Sequence, residues 1–225
     1  MNGSALAAAG LLFALADAIP AQAVVVSQNR GDDAAAGTTA APVRTISRGV
    51  ALARANGGKL VRLEYGEYGP GEVLPIELPA DFELAGIGAA GSSLSAGGKV
   101  AFRLLPPAPG STTVLAGLGI AGAATGLEVT AAADAPIELL LRGVAFTACA
   151  TGVRVVTGVQ PVRIAGTSVR TDGCKTGIDV GGLGPCRLHL ADSLFAGGDA
   201  GLSLHDPEAT SPRAVAVHHD LALVR

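Results

Sequence analysis

The phrase that decides the fold is Thr125-Gly126-Leu127-Glu128-Val129, which returns three more times in the second half of the chain. The later copies read Thr151-Gly152-Val153-Arg154-Val155, Thr176-Gly177-Ile178-Asp179-Val180 and Ala200-Gly201-Leu202-Ser203-Leu204. Their glycines are 26, 25 and 24 residues apart. A near-constant period of this length is typical of a solenoid, because each coil lies on the one before and equivalent positions recur in every coil. The repeated glycine predicts either a positive φ or a close approach of the backbone.

A second phrase precedes each copy and adds another short strand to the repeat. It occupies residues 115–120, 141–146, 164–169 and 190–195. Short alternating strands without a helix-length run are also compatible with an antiparallel sandwich, but a sandwich has no reason to repeat one phrase at fixed spacing. The sequence therefore predicts an all-β fold, a single-stranded right-handed parallel β-helix.

An N-terminal cap is predicted over residues 24–58, ahead of coils over residues 59–225. Thr45 is the expected N-cap of one helix that ends at Ala55. A helix here would cover the open end of the first coil, where unpaired backbone groups otherwise invite aggregation. Its inward face is predicted to carry Ile46, Val50 and Ala53.

The first 23 residues have the pattern of a signal peptide. Residues 5–16 are an unbroken run of Ala, Leu, Gly and Phe, and Ala21-Gln22-Ala23 follows as a small-x-small cleavage site. The run is shorter than the roughly 20 apolar residues of a transmembrane helix. We therefore expect cleavage after Ala23, no membrane span, and a secreted, periplasmic or cell-surface protein.

Composition excludes two classes of partner or scaffold. The formal net charge is −3 and the basic residues are scattered, so nucleic acid is not expected as a partner. The three cysteines are too few for a disulfide framework and lack the spacing of a zinc site.

Several phrases of the cap resemble a known group of proteins. These are Gly31-Asp32-Asp33, Gly37-Thr38, Pro42-Val43-Arg44-Thr45-Ile46, Gly66-Glu67-Tyr68 and Leu74-Pro75-Ile76-Glu77-Leu78-Pro79. They are similar to the cap of bacterial exported right-handed parallel β-helix (pectin-lyase-like) proteins, a family of unknown function with a distant relation to pectate lyases. The resemblance implies the fold and an extracellular address, and through the pectate lyases it implies a polysaccharide as the ligand.

Enzymatic chemistry has few candidate residues in this sequence. A polysaccharide lyase of this fold needs acidic residues that hold Ca²⁺ and a Lys or Arg as base. Lys175 is the one lysine with carboxylates nearby, those of Asp172 and Asp179, although a solvated turn between coils explains these three residues better. Asp32 and Asp33 lie in the cap, where we expect their side chains to bond backbone amides.

Two outward columns of polar residues are predicted on the coils. Arg163, Arg187 and His189 form a polar strip, with His189 aligned to Arg163 one coil earlier, and the strip is either a contact for an anionic sugar or the wet face of a strand. In a second column the sign of the charge alternates between stacked strands, which stabilises the sheet and is a sufficient structural explanation of the column. It contains Glu128, Arg154, Asp179 and Ser203.

The favoured function is an exported domain with a structural, cell-surface or carbohydrate-contacting role and no evident catalytic site. The alternative is a lyase or glycoside hydrolase that acts on an acidic polysaccharide. Because residues 214–224 read as a strand without a polar cap, we expect further coils or a covering subunit at that end.

The repeat also predicts that Cys149 and Cys174 are vertical neighbours. Each lies three residues before the glycine of its phrase, in a column with Ala123 and Gly198. Stacked strands place such residues within the Cα separation of a disulfide. The sequence leaves open whether the two thiols form a disulfide or remain a stack.

Overall fold

The structure is a computed structural model that describes residues 23–106, 110–131, 135–182 and 184–205, together with the backbone of residues 215–224. The predicted signal peptide lies outside the described residues, apart from Ala23. In chain order the elements are β1 (Val24–Val26), α1 (Ile46–Ala55), β2 (Leu60–Leu63), β3 (Gly66–Tyr68), β4 (Ile76–Leu78), β5 (Glu83–Ala85), β6 (Ser92–Ser95), β7 (Val100–Leu104), β8 (Thr112–Ala116), β9 (Gly119–Ala121), β10 (Thr125–Thr130), β11 (Ile137–Arg142), β12 (Ala145–Thr147), β13 (Thr151–Thr157), β14 (Val162–Thr167), β15 (Arg170–Asp172), β16 (Thr176–Gly182), β17 (Cys186–Ala196), β18 (Ala200–Leu204) and β19 (Val215–Val224).

The strands stack into three parallel ladders. The first ladder contains β1, β2, β5, β8, β11, β14 and the start of β17, and the second contains β3, β6, β9, β12, β15 and the end of β17. The third ladder contains β4, β7, β10, β13, β16 and β18, one strand from each of six coils. The backbone of β19 pairs with both parts of β17. The predicted parallel β-solenoid is thus confirmed, while its right-handed winding and the boundary between cap and coils stay predictions.

The core is built from inward side chains that repeat from coil to coil. In β13, Val153 and Val155 are fully buried and Arg154 between them is exposed. Val153 pairs in register with Leu127 of the coil before and Ile178 of the coil after. This alternation follows from the two-residue period of a strand, which sends successive side chains to opposite faces.

The helix α1 packs against the first strands of the first and third ladders, while its role as a cap stays a prediction. The Oγ atom of Thr45 accepts a hydrogen bond from the amide of Arg48 at 3.2 Å, which confirms Thr45 as the N-cap. The helix contacts β1, β2 and β4. Its buried face contains the predicted Ile46, Val50 and Ala53.

Asp33 and Asp32 fix the loop before the helix. Oδ1 of Asp33 accepts hydrogen bonds from the amides of Arg44 and Thr45, both at 2.9 Å, and Oδ2 accepts one from Oγ of Thr45 at 3.0 Å. Oδ1 of Asp32 accepts from the amide of Ala34 at 3.0 Å. The prediction that these carboxylates bond backbone amides is therefore confirmed.

Glu72 makes a second carboxylate contact with the helix that the sequence does not indicate. Its Oε1 atom accepts from the amide of Ile46 at 2.6 Å and its Oε2 atom from the amide of Ser47 at 2.9 Å. These bonds satisfy two of the amides that a helix leaves unpaired at its start. Burial raises the pKa of Glu72 more than the backbone hydrogen bonds lower it.

The repeated glycines mark close backbone approach, and positive φ angles occur elsewhere. A Cβ atom at Gly152 would lie 2.5 Å from the carbonyl oxygen of Gly177 in the next coil. Positive φ angles recur in the turns instead. Between the second and third ladders they are 61° at Gly122, 51° at Ala148, 61° at Gly173 and 67° at Gly197, and a second column between the first and second ladders contains Gly117, Gly143, Ser168 and Asp192.

One alignment predicted from the sequence is wrong by two residues. Leu141 pairs with Gly166, and Gly166 with Leu190, so the second phrase of that coil begins at Gly166 and not at Ile164. A Cβ atom at Gly166 would lie 2.6 Å from Cδ2 of Leu190, so the leucine of the next coil fills the space that a larger side chain takes elsewhere. A two-residue shift preserves which residues face inward, and the amphipathic pattern therefore did not reveal it.

Cys149 and Cys174 are stacked neighbours, as predicted. The amide of Lys175 donates to the carbonyl of Cys149 at 3.0 Å, and the following strands pair Thr151 with Thr176. Both residues are buried and their thiols are free. A hydrogen bond with Cys174, together with burial, raises the pKa of the Cys149 thiol.

Candidate functional site

The arginine strip, defined as Arg163, Arg187 and His189, lies on the outward face of the first ladder. Arg163 of β14 pairs in register with Arg187 of β17, and His189 is the next outward residue along β17. The three residues therefore lie together, although His189 aligns with Ala165 and not with Arg163 as predicted. This correction has the same cause as the two-residue shift at Gly166.

A shallow depression of about 380 Å³ runs along this face. Its floor is made of small and apolar residues, and charged or polar side chains surround the floor. The residues that line it include Thr112, Glu138, Leu140, Arg163, Ala165, Arg187 and His189. The surface thus offers an apolar floor with positive charge at one end.

The positive charge of the strip is only partly compensated. Nη1 of Arg163 lies 2.9 Å from Oε1 of Glu138 in the preceding coil, and both side chains are about half exposed. Arg187 makes no hydrogen bond or ion pair with any described residue. Like charges on directly paired strand positions are destabilising. Packing therefore does not explain why two arginines are stacked here.

The third ladder shows how this solenoid otherwise arranges outward charge. Five residues in direct register alternate in sign over five successive coils, and Nη2 of Arg103 lies 3.1 Å from Oε2 of Glu128. The predicted column of alternating charge is confirmed and is longer than predicted. From the N-terminal end it contains Glu77, Arg103, Glu128, Arg154 and Asp179, followed by Ser203.

The structure does not bring the candidate lyase residues together. Asp172 is exposed on β15 in the second ladder, Lys175 is exposed in the turn that follows, and Asp179 lies on β16 in the third ladder. Among the described residues, no group of three or more His, Cys, Asp and Glu side chains is arranged to hold a metal ion.

A serine, a histidine and an aspartate do meet at the end of the third ladder. Nε2 of His205 lies 2.9 Å from Oγ of Ser203 and 2.9 Å from Oδ1 of Asp179. In a catalytic Ser-His-Asp arrangement, the serine and the aspartate bond opposite nitrogens of the imidazole. Here both contacts involve the same nitrogen, so the group has the geometry of an ion pair at a strand end and not of a proton relay.

Comparison with known proteins identifies a family. The model of DUF1565, described as a protein of unknown function, matches residues 29–169. No curated protein and no solved structure matches the chain. Within the described ranges, no helix has the length and apolar character to cross a membrane. The match covers more than half of the chain and coincides with the parallel β-solenoid, and the protein therefore belongs to the DUF1565 family of unknown function.

Proposed function

We propose that this DUF1565 protein is an exported, non-catalytic β-solenoid that binds an acidic polysaccharide at the arginine strip. The observation that carries the proposal is the direct stacking of Arg163 on Arg187. Stacked strands lie about 4.8 Å apart, and two cations at that separation repel each other. An anionic ligand laid across both strands would turn this repulsion into two attractive contacts.

The contrast with the third ladder supports a functional explanation of the strip. Where outward charges only maintain the register, this chain alternates their sign, as at Arg103 and Glu128. The strip departs from that pattern at one place, and the depression lies at the same place. Arginine also binds carboxylates through two parallel hydrogen bonds, which suits the uronic acids of acidic polysaccharides.

The apolar floor of the depression supports a sugar polymer over a small inorganic anion. Leu140 and Ala165 line the floor, and the outward neighbours that line the depression beside them are Glu138 and Arg163. A sugar ring has apolar faces that can rest on such a floor, while its carboxylate points to the arginines.

The first strand begins at Val24, directly after the predicted signal-peptide cleavage site, which is consistent with export.

The placement of Asp172 and Asp179 in different ladders supports binding without catalysis. The test is to incubate the purified protein with polygalacturonate, alginate and neutral glycans, with Ca²⁺ and with a chelator. We expect retention of the polyuronates, no retention of the neutral glycans, and no new reducing ends or unsaturated products. Turnover of any polymer would favour the lyase or hydrolase alternative, and equal retention of neutral glycans would contradict an electrostatic site.

A further inference from the structure

A second cleft, of about 580 Å³, lies between α1, the loop of residues 69–75, and the outward faces of β4 and β7. It shares no lining residue with the depression at the arginine strip. Its volume falls within the roughly 300–1,000 Å³ of small-molecule sites. The inference below is thus independent of the proposed function.

Three arginines from two elements line this cleft. Arg48 and Arg54 come from α1, and Arg103 comes from β7. The two carboxylates in the lining belong to Asp33 and Glu77. The lining thus has one more positive than negative side chain.

With Arg103 paired to Glu128 outside the lining, the other charged groups of the lining are Arg48, Arg54, Asp33 and Glu77, and their charges balance. Asp33 uses both carboxylate oxygens on Thr45 and on backbone amides, and it makes no ion pair with an arginine side chain of the described residues. Arg103 is paired with Glu128, and Nε of Arg48 donates to the carbonyl of Asp33 at 3.0 Å. Arg54 is exposed and has no hydrogen bond or ion pair with any residue that the structure describes.

One wall of the cleft, formed by Ala51 and residues 73–75, is apolar. Ala51 of α1 is exposed, and Val73 has 73% of its surface accessible. Leu74 and Pro75 continue this wall toward the strand β4. Covering an exposed valine, proline and leucine with an apolar ligand removes apolar surface from water, which is favourable.

We infer that this cleft binds a small amphipathic organic anion, with its charged group at Arg54 and Arg48 and its apolar body against Ala51 and the residue 73–75 wall. Both parts of the ligand follow from the lining. A purely inorganic anion would leave the apolar wall exposed, and a neutral apolar molecule would leave Arg54 without a partner among the described residues. The carboxylates of Asp33 and Glu77 also disfavour ligands that carry several negative charges.

The test uses anilinonaphthalene sulfonate as a fluorescent amphipathic anion and N-phenylnaphthylamine as its neutral analogue. We expect saturable binding of the sulfonate by the folded protein and much weaker binding of the analogue. Arg54→Gln should weaken sulfonate binding about tenfold, the loss expected for one charged hydrogen bond. The matched control is Arg170→Gln, which changes an exposed arginine of the second ladder and should leave binding unchanged.

A second variant tests the location without a change of charge. Ala51→Trp places a large side chain in the cleft from an exposed helix position, and it should block the sulfonate while the thermal unfolding midpoint is retained. Equal affinity for the two dyes would overturn the inference. Full binding by Ala51→Trp, or a loss with Arg187→Gln in place of Arg54→Gln, would also overturn it.

Discussion

The hydroxyl of Tyr68, on β3, is buried and lies 3.1 Å from the carbonyl oxygen of Val26 and 3.0 Å from that of Glu64. Burial raises the pKa of Tyr68 to about 12, compared with 10.0 for an ordinary tyrosine. Between these two values the folded protein keeps a proton that the unfolded chain has lost. The contribution of Tyr68 to the free energy of unfolding is therefore fully present below pH 10 and is lost as the pH rises toward 12. Two pKa units correspond to about 2.7 kcal/mol.

The assay compares urea unfolding of the wild type and of Tyr68→Phe from neutral to alkaline pH. The variant should lose about 1 kcal/mol at neutral pH, because the hydrogen bond is removed. Between pH 10 and pH 12 the free energy of unfolding of the wild type should then fall by about 2.7 kcal/mol relative to that of Tyr68→Phe, so that the variant becomes the more stable protein. In Tyr65→Phe, Tyr68 is the one tyrosine left, so tyrosinate absorbance reports on it alone. Ionisation near pH 10 in that folded variant, or equal alkaline slopes for wild type and Tyr68→Phe, would refute the reasoning.

Three further predictions concern the turn, the cap and the thiols. Ala148 has a φ of 51° where neighbouring coils carry glycine, so Ala148→Gly should stabilise the fold by about 0.5–1 kcal/mol in chemical denaturation; a loss of stability would contradict this strain. Asp33→Ala removes three hydrogen bonds and should cost about 2–4 kcal/mol in the same assay, whereas the control Asp32→Ala removes one and should cost about 1 kcal/mol or less. Cys149, Cys174 and Cys186 are buried and none of them is in a disulfide, so a thiol reagent should react slowly with the native protein and with three thiols after unfolding. Reaction of a single thiol after unfolding would instead reveal a cross-linked pair.

The repeat made much of the fold predictable. A period of 24–26 residues predicted which positions stack, and Glu128, Arg154 and Asp179 pair as that period requires. The N-cap Thr45 was predictable because a hydroxyl that precedes a helical pattern is a local signal. The two-residue shift at Gly166 was not predictable. Alignments that begin at Ile164 and at Gly166 both place apolar residues inside, and only the packing of Leu190 distinguishes them.

The candidate site was predictable in its members but not in its electrostatics. Arg163 and Arg187 were found because they occupy outward strand positions. The partner of Arg163 was missed, although Glu138 lies 25 residues earlier and one period would have located it. Glu72 was missed for a different reason, because its contact with Ile46 joins the cap to the first coil and no repeat relates the two.

The most direct test of the proposed function is the affinity of an oligogalacturonate for the wild type, for Arg187→Gln and for Arg154→Gln, measured by calorimetry. Arg154 is an exposed outward arginine of the third ladder and provides the matched control. We predict that Arg187→Gln weakens binding about tenfold or more, that Arg154→Gln leaves it unchanged, and that added salt weakens binding to the wild type. Equal loss in both variants, or no binding by the wild type at low salt, would contradict the assignment of the arginine strip as the ligand site.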